Sequence, residues 1–213
     1  MQMGALIIFI DNFGTLAGAK GLYLINNWTT IQNGVEVSGL LLYGGILFLP
    51  IYMFCISNFF KIDVKKFFDF ATPSLILGLA FYRIGCFIGG CCYGVPADWG
   101  FPMAHSPEIL RVPTQLIELI CDIGIFAMLL YAEKKEWFNE TKGILYPLFM
   151  ISYGLIRFVI EFFRERDILI GTFSQAHFLS LFAIAIGIIW VILAVEKQTK
   201  KSKVDATDGD VHF

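Results

Sequence analysis

The residues best suited to chemistry in this sequence lie in the stretch 83–94, at the end of a long apolar run. The stretch begins with Arg83, ends with Gly94 and contains four glycines and three cysteines. A charged side chain at the centre of a bilayer costs about 2.5–3.5 kcal/mol on insertion scales, so an arginine kept there is expected to face a polar cavity and an anionic partner. The glycines indicate that the backbone approaches another group closely.

A second polar group lies further along the chain. Tyr153, Arg157, Glu161 and Arg164 are spaced so that a helix would place them on one face. Guanidinium groups bind phosphate oxygens in a bidentate way, and the phosphates available at membrane depth belong to lipids. The sequence therefore predicts that Arg83 and Arg157 hold a phosphate. Two plainer interpretations stay open: Arg157 and Glu161 could neutralise each other, and Arg164 could anchor a helix end at the interface.

The elements that position these residues are membrane helices. Hydrophobic residues make up 57% of the chain and the mean hydropathy is +0.69, well above the ~45–50% apolar content of soluble domains. A bilayer is crossed by about 20 mostly apolar residues. We predict an all-α integral membrane protein with a lipid-accessible polar cavity toward the outer face. Six segments qualify as spans: 4–25, 37–57, 70–89, 114–132, 143–163 and 176–195.

The distribution of lysines predicts the orientation, because basic residues in short loops stay on the cytoplasmic side. Lysines concentrate in the loops 58–69 and 133–142 and in the tail, so both termini are expected to be cytoplasmic. We predict a transmembrane domain at 1–198 and a polar, disordered cytoplasmic tail at 199–213. The net charge of −2 gives no reason to expect a nucleic-acid partner.

Several ordered motifs resemble the bacterial prolipoprotein diacylglyceryl transferases. The clearest are the stretches 83–94, 111–118 and 153–164, and Asp167 follows the last of them. Two weaker matches to the family precede these motifs. One lies at 18–23 and includes Lys20, and the other lies at 38–45 and includes Tyr43. The resemblance runs from about residue 17 to about residue 195. It covers nearly the whole chain.

The resemblance implies an enzyme of the bacterial cytoplasmic (inner) membrane that crosses the bilayer several times. Such an enzyme moves the diacylglyceryl group of phosphatidylglycerol onto the lipobox cysteine thiol of a prolipoprotein signal-peptide segment, and releases glycerol phosphate. No cofactor and no metal are implied. The catalytic residues carried over are Arg83, Arg157, Tyr153, Tyr43 and Glu161. The substrate-binding residues carried over are Arg83, Gly94, Arg157, Gln115, Glu118, Arg164 and Lys20.

The sequence also departs from the family pattern. Tyr43 stands where these enzymes usually have a histidine, and Cys86 stands where they usually have an asparagine. An ordinary tyrosine, with a pKa near ~10, is a weak base at neutral pH. The acceptor thiol could therefore lose its proton to a perturbed Tyr43, to Glu161, or directly with help from the arginines. The chain is also expected to lack the family's first membrane helix and its longer outer insert, which the short stretch 96–110 replaces.

The cysteines of the first motif allow three interpretations beyond simple packing. Their spacing does not match common metal sites, because well-separated pairs and a nearby histidine are missing. A bridge between Cys86 and Cys91 is compatible with an oxidising outer face. A diacylglyceryl intermediate on Cys91 or Cys92 is the third interpretation.

Two alternative functions accompany the main prediction. A paralogous membrane transferase could move a lipid-derived group to another acceptor, as the change at Tyr43 would allow. A non-catalytic lipid-binding protein or a small transporter would keep the polar helix face without the chemistry. A transporter should show inverted repeats with interrupted helices, and the sequence shows no such pattern.

Overall fold

The computed structural model describes residues 42–103, 106–135, 143–164 and 171–209, and side chains within 51–102, 107–135, 143–164 and 171–200. The first predicted span at 4–25, with Lys20, lies outside the described residues. Tyr43 belongs to a helix that the structure describes, but its side chain is not among the described side chains.

Five helices account for most of the described chain. They are α1 (Leu42–Phe59), α2 (Val64–Ile88), α3 (Thr114–Glu133), α4 (Leu145–Ile160) and α5 (Gln175–Gly209). Four segments are long and apolar enough to cross a membrane, namely Val64–Ile88, Thr114–Glu133, Leu145–Phe163 and Gln175–Lys200. The helical membrane class is confirmed, and these four spans match the last four predicted segments. Helix α5 continues into the predicted polar tail.

Apolar side chains face outward on these helices, as expected where lipid replaces water. On α3, α4 and α5 the exposed residues include Ile120, Leu155 and Phe182, with 70%, 52% and 64% of their surfaces accessible. In lipid a helix satisfies its backbone groups internally and has no reason to bury apolar side chains. The buried side chains of this region are instead unusually polar, and they include Arg83, Gln115 and Asp122.

A two-stranded antiparallel hairpin connects α2 to α3. Strand β1 (Pro96–Met103) pairs with β2 (Ser106–Arg111), with Phe101 opposite Arg111. The sequence predicted only a short loop here, so the hairpin is an addition to the expected all-α fold. Gly100 adopts φ +121°, and a Cβ at this position would collide with the Arg111 carbonyl oxygen. A residue without a side chain is therefore needed for the two strands to approach.

Helices α4 and α5 pack closely through two glycines. A Cβ added to Gly154 would lie 2.8 Å from the Ile184 side chain, and one added to Gly187 would lie 2.7 Å from that of Ile151. Small residues at membrane-helix interfaces permit such close approach. The contact fixes the helix that carries Tyr153 and Arg157 against its neighbour.

Contacts along the chain divide it after Ala71, inside α2, into two compact units. The first unit contains α1 and the beginning of α2. Within it, the Ser57 hydroxyl donates a hydrogen bond to the Phe54 carbonyl oxygen at 2.9 Å. The second unit contains the rest of α2, the hairpin and the remaining helices. The side chains described in the next section all belong to the second unit.

Candidate functional site

Arg83 is a fully buried arginine near the end of α2, with 1% of its surface exposed. Its Nη1 lies 3.0 Å from Oε2 of Glu118, and its Nη2 donates a hydrogen bond to the Tyr153 hydroxyl at 3.3 Å. The Nε of Arg83 is buried without a hydrogen-bond partner among the described residues. Burial of a guanidinium is costly unless its donors are paired, so this remaining donor is a marked feature of the site.

Arg157 lies on α4 and makes two ion pairs. Its Nη1 lies 2.6 Å from Oε1 of Glu118, and its Nη2 lies 2.9 Å from Oε2 of Glu161, four residues later. The predicted pairing of Arg157 with Glu161 is therefore present. It is only half of the arrangement, because Arg157 also reaches a carboxylate on a different helix.

Glu118 connects the two arginines. It comes from the second turn of α3, is 3% exposed, and directs one carboxylate oxygen to each guanidinium. We refer to Arg83, Glu118, Arg157 and Glu161 as the arginine–carboxylate cluster. Removing one partner of a buried ion pair typically costs about 3–5 kcal/mol, because the other charge is left uncompensated. The cluster therefore fixes the relative positions of α3, α4 and the end of α2.

Asp122 is a buried acid that the sequence analysis missed. It lies one turn after Glu118 on α3 and is 1% exposed. Neither of its carboxylate oxygens has a hydrogen-bond partner among the described residues. Its spacing from Glu118 on an apolar helix was the available signal, since charged residues inside membrane segments are rare and mark functional sites.

Ser174 and His177 extend the polar region beyond Glu161. The Ser174 hydroxyl donates a hydrogen bond to Oε1 of Glu161 at 2.8 Å. The backbone N–H of Ser174 donates to Nδ1 of His177 at 3.0 Å, and both residues are buried where α5 begins. Glu161 is therefore held by α5 as well as by Arg157. The sequence analysis gave neither Ser174 nor His177 a role.

The loop after α2 is fastened to the start of α3. The Gln115 side-chain amide donates to the Cys91 carbonyl oxygen at 2.6 Å, and the Thr114 hydroxyl donates to the Cys92 carbonyl oxygen at 2.8 Å. Gly90 and Cys92 both adopt left-handed backbone conformations, with φ of +63° and +61°. Such a conformation is uncommon for a residue with a side chain. Gln115, which the sequence predicts to bind substrate, thus positions this loop.

Gly94 lies where three backbone segments meet. Its N–H donates to the Val112 carbonyl oxygen at 2.9 Å, and it forms an isolated β-bridge with Arg164. A Cβ on Gly94 would lie 2.5 Å from the Phe163 carbonyl oxygen and 2.7 Å from the Val112 Cβ. The predicted importance of this glycine therefore has a steric basis. Arg111 adds to the junction, because its Nη1 donates to the Gly94 carbonyl oxygen at 3.4 Å.

Three cysteines converge beside this loop. The Sγ atoms of Cys86, Cys91 and Cys92 all lie within 4.8 Å of one another, and we call this group the thiol cluster. Hydrogen bonding from the Cys86 thiol, supported by the charge of Arg164, lowers the pKa of Cys92 to about 5. Burial raises the pKa of Cys91. The cluster is thus expected to hold one thiolate beside two thiols.

The structure brings some of the predicted site residues together and places others apart. It brings Arg83, Tyr153, Arg157, Glu118 and Glu161 into one buried network. Gln115, Gly94 and Arg164 lie instead at the adjoining loop. The predicted helix face also ends early, because α4 gives way to a 3₁₀ turn at Glu161–Phe163 before Arg164.

These features define a helical membrane protein with a buried pair of arginines beside a loop of glycines and cysteines. Comparison with known proteins identifies the class further. The family model described as prolipoprotein diacylglyceryl transferase matches residues 2–193. The chain belongs to this family.

Several curated relatives carry the same family name. Phosphatidylglycerol–prolipoprotein diacylglyceryl transferase from Clostridium tetani is 34% identical, over 82% of this chain and 74% of the relative. The protein of that name from Finegoldia magna is 31% identical, over 88% and 76%. The one from Nitrosomonas europaea is 34% identical, over 81% and 66%.

Proposed function

We propose that this chain transfers the diacylglyceryl group of phosphatidylglycerol to a cysteine thiol of prolipoproteins and releases glycerol phosphate. Family membership supports the reaction. One observation supports a role for particular residues in this reaction. Arg83 and Arg157, from two helices, are both ion-paired to the carboxylate of Glu118. Two guanidinium groups held this close are suited to a phosphate, which offers several oxygens to donors on both sides.

In the proposed reaction Arg83 and Arg157 bind the lipid phosphate and stabilise the negative charge that develops as glycerol phosphate leaves. Donors already fixed in a low-dielectric site need no reorganisation at the moment of reaction. The Nε of Arg83 has no hydrogen-bond partner among the described residues and is therefore available to a phosphate oxygen. Tyr153 orients Arg83 through the hydrogen bond to its hydroxyl.

The acceptor thiol must lose its proton before it attacks the glycerol carbon. Tyr43 and Glu161 remain the proposed acceptors of this proton. Glu161 is already engaged by Arg157 and Ser174, so accepting the proton would weaken one of these contacts. We further propose that Gly94, Gln115 and Arg164 shape the loop that faces the substrates, and that Lys20 contributes to lipid binding.

The proposed setting is the bacterial inner membrane, with six crossings and both termini in the cytoplasm. A polar cavity would then open toward the outer face, where a signal-peptide segment presents the acceptor cysteine. The lysines within residues 58–69 and 133–142 support this orientation.

The test is a transfer assay with purified full-length protein, phosphatidylglycerol and a lipobox peptide. The peptide mass and the released glycerol phosphate are followed together. We expect Arg83→Ala and Arg157→Ala each to reduce turnover by about 100-fold, the usual scale for losing a preorganised donor. Arg83→Lys is the sharper variant, because it keeps the charge and removes the Nε donor.

Lys135→Ala is the matched control, since Lys135 is an exposed cation beside Tyr131 at the end of α3 and outside the cluster. Its turnover should equal that of the parent protein. Thermal unfolding of each variant separates loss of activity from loss of fold. No lipidated peptide from the folded parent protein would contradict the proposal and favour a lipid-binding protein without catalysis.

A further inference from the structure

The thiol cluster is not used by the proposed transfer reaction. Cys86 is buried in the last turn of α2, Cys92 is half-buried, and Cys91 is exposed. All three sulfurs lie within 4.8 Å of one another although five positions of the chain separate Cys86 from Cys91. The left-handed backbone at Gly90 and Cys92 turns the chain back and makes this convergence. A residue with a side chain rarely adopts that conformation.

Hydrogen bonds from the Cys86 and Cys91 thiols lower the pKa of Cys92, whose sulfur lies within 4.8 Å of both of theirs. The charges of Arg164 and Arg83 also act on Cys92. Donors and cations together favour a thiolate at Cys92, which is the nucleophilic form of cysteine.

We propose that Cys92 and Cys86 form a thiol–disulfide exchange site whose substrates are disulfides, including a disulfide that blocks the acceptor cysteine of a prolipoprotein. The identity of the acceptor as a cysteine rests on the proposed function. The exchange chemistry of the cluster does not.

The reaction has two steps. The Cys92 thiolate attacks one sulfur of the substrate disulfide, forms a mixed disulfide and releases the other half as a thiolate. The Cys86 thiol then gives its proton to the thiolate released first and attacks the Cys92 sulfur, which forms the Cys86–Cys92 disulfide and releases the remaining half as a thiolate. The protein loses two electrons and the substrate disulfide gains them. A dithiol reductant must restore the cluster before another turnover.

Cys86 is the resolving partner rather than Cys91. Neighbouring residues have Cα atoms ~3.8 Å apart, which is shorter than the ~4.4–6.8 Å that disulfides span. A bridge between Cys91 and Cys92 would therefore be strained. Cys86 and Cys92 are separated by a turn, and their sulfurs already lie within 4.8 Å.

The first experiment uses the full-length protein with Cys55→Ser and Cys121→Ser, so that the thiol cluster holds the remaining cysteines. The reduced protein is mixed at about pH 6 with an aromatic disulfide that releases a coloured thiol. A thiol with a pKa of about 5 is mostly ionised at this pH. After allowance for its lower intrinsic nucleophilicity, it should react about five- to tenfold faster than an ordinary thiol.

We expect the fast phase to release two coloured thiols per chain and to leave an internal disulfide. Cys92→Ser should abolish the fast phase. Cys86→Ser should release one and retain a mixed disulfide that mass spectrometry detects. Cys91→Ser, the matched control, should still release two. A fast phase that survives Cys92→Ser, or its absence from the folded parent protein, would overturn the proposal, as would two released thiols from Cys86→Ser.

The second experiment tests the substrate without phosphatidylglycerol. A lipobox peptide carrying its cysteine as a mixed disulfide is mixed with the reduced protein, and the free peptide thiol is measured. We expect one freed peptide per chain, and none with Cys92→Ser. Reaction with the small disulfide but not with the peptide would overturn the acceptor assignment. Because no lipid donor is present, failure of diacylglyceryl transfer cannot produce either result.

Discussion

Arg83 and Arg157, on different helices, are ion-paired to opposite oxygens of the same carboxylate, that of Glu118, at 3.0 and 2.6 Å. Two like charges are held close together here by one shared counter-charge. Without that carboxylate they would repel each other in a medium that screens them poorly. Glu118 therefore determines whether the two arginines can act on one substrate.

Replacing this shared carboxylate should destabilise the protein and abolish transfer. Glu118→Gln keeps the shape of the side chain but leaves two buried guanidinium groups without their common partner. We expect a loss of about 3–5 kcal/mol in the free energy of unfolding. Thermal unfolding in lipid nanodiscs measures this change. Glu133→Gln, at the exposed end of the same helix, should leave stability unchanged. Equal stability of the two variants would contradict the bridging role of Glu118.

Gly94 should not tolerate even one added methyl group. In Gly94→Ala the new Cβ would lie 2.5 Å from the Phe163 carbonyl oxygen, so the three backbone segments would have to separate. We expect a loss of about 1–3 kcal/mol, the usual range for overpacking, together with lower transfer activity. Gly78→Ala is the control, because a Cβ on Gly78 meets nothing within 4 Å. The denaturation midpoint of Gly94→Ala should lie clearly below that of Gly78→Ala. Similar midpoints would disprove the steric explanation.

Alkylation of Cys92 should depend on pH in an unusual range. Its pKa of about 5 lies below the ordinary value, so the thiolate is present above about pH 5 and is lost as the pH falls through that value. Cys86→Ala removes the largest cause of this shift, and Arg164→Gln removes a smaller one. Both variants should therefore move the alkylation midpoint upward, Cys86→Ala by more.

Peptide-level mass spectrometry after brief treatment with iodoacetamide measures the midpoint for Cys92 itself. Cys121→Ser serves as the control and should leave the midpoint unchanged. A parent midpoint near ~8.5, the value of an ordinary thiol, would refute the hydrogen-bonded thiolate.

Ser174 should influence the site through Glu161. Ser174→Ala removes the hydrogen bond to Oε1 of Glu161 and leaves this buried carboxylate with less support. A hydrogen bond to a charged group contributes about 1.5–3 kcal/mol, and we expect a loss of stability in this range. Thr199→Ala removes an exposed hydroxyl that donates to the Val195 carbonyl oxygen, and it should have little effect. Comparison of the unfolding midpoints of Ser174→Ala and Thr199→Ala tests whether the hydrogen bond from Ser174 to Glu161 stabilises the fold.

Much of the arginine–carboxylate cluster could be predicted from the sequence. Helical spacing related Tyr153 to Arg157 and Glu161, and the cost of an intramembrane charge singled out Arg83. The bridging position of Glu118 could not be derived in the same way, because it depends on how α3 packs against two other helices. Spacing along one helix carries no information about that packing. Asp122 was missed although its spacing from Glu118 was visible.

The loop region was predicted less well for a different physical reason. Adjacent Cys91 and Cys92 would point apart in an ordinary extended or helical backbone. Their convergence with Cys86 depends on left-handed conformations at Gly90 and Cys92, and a cysteine gives no sequence signal for that conformation. The sequence likewise predicts a loop where the hairpin lies, because strands rich in proline and glycine lack the alternating pattern of typical strands.

The close contact of α4 and α5 limits the routes by which a lipid can enter. Gly154 meets Ile184 and Gly187 meets Ile151 so closely that not even a methyl group fits between them without displacement. An acyl chain is at least as wide as a methyl group, so it cannot pass between these two helices at those levels. A lateral route for the tails of a phospholipid must therefore lie elsewhere than between α4 and α5.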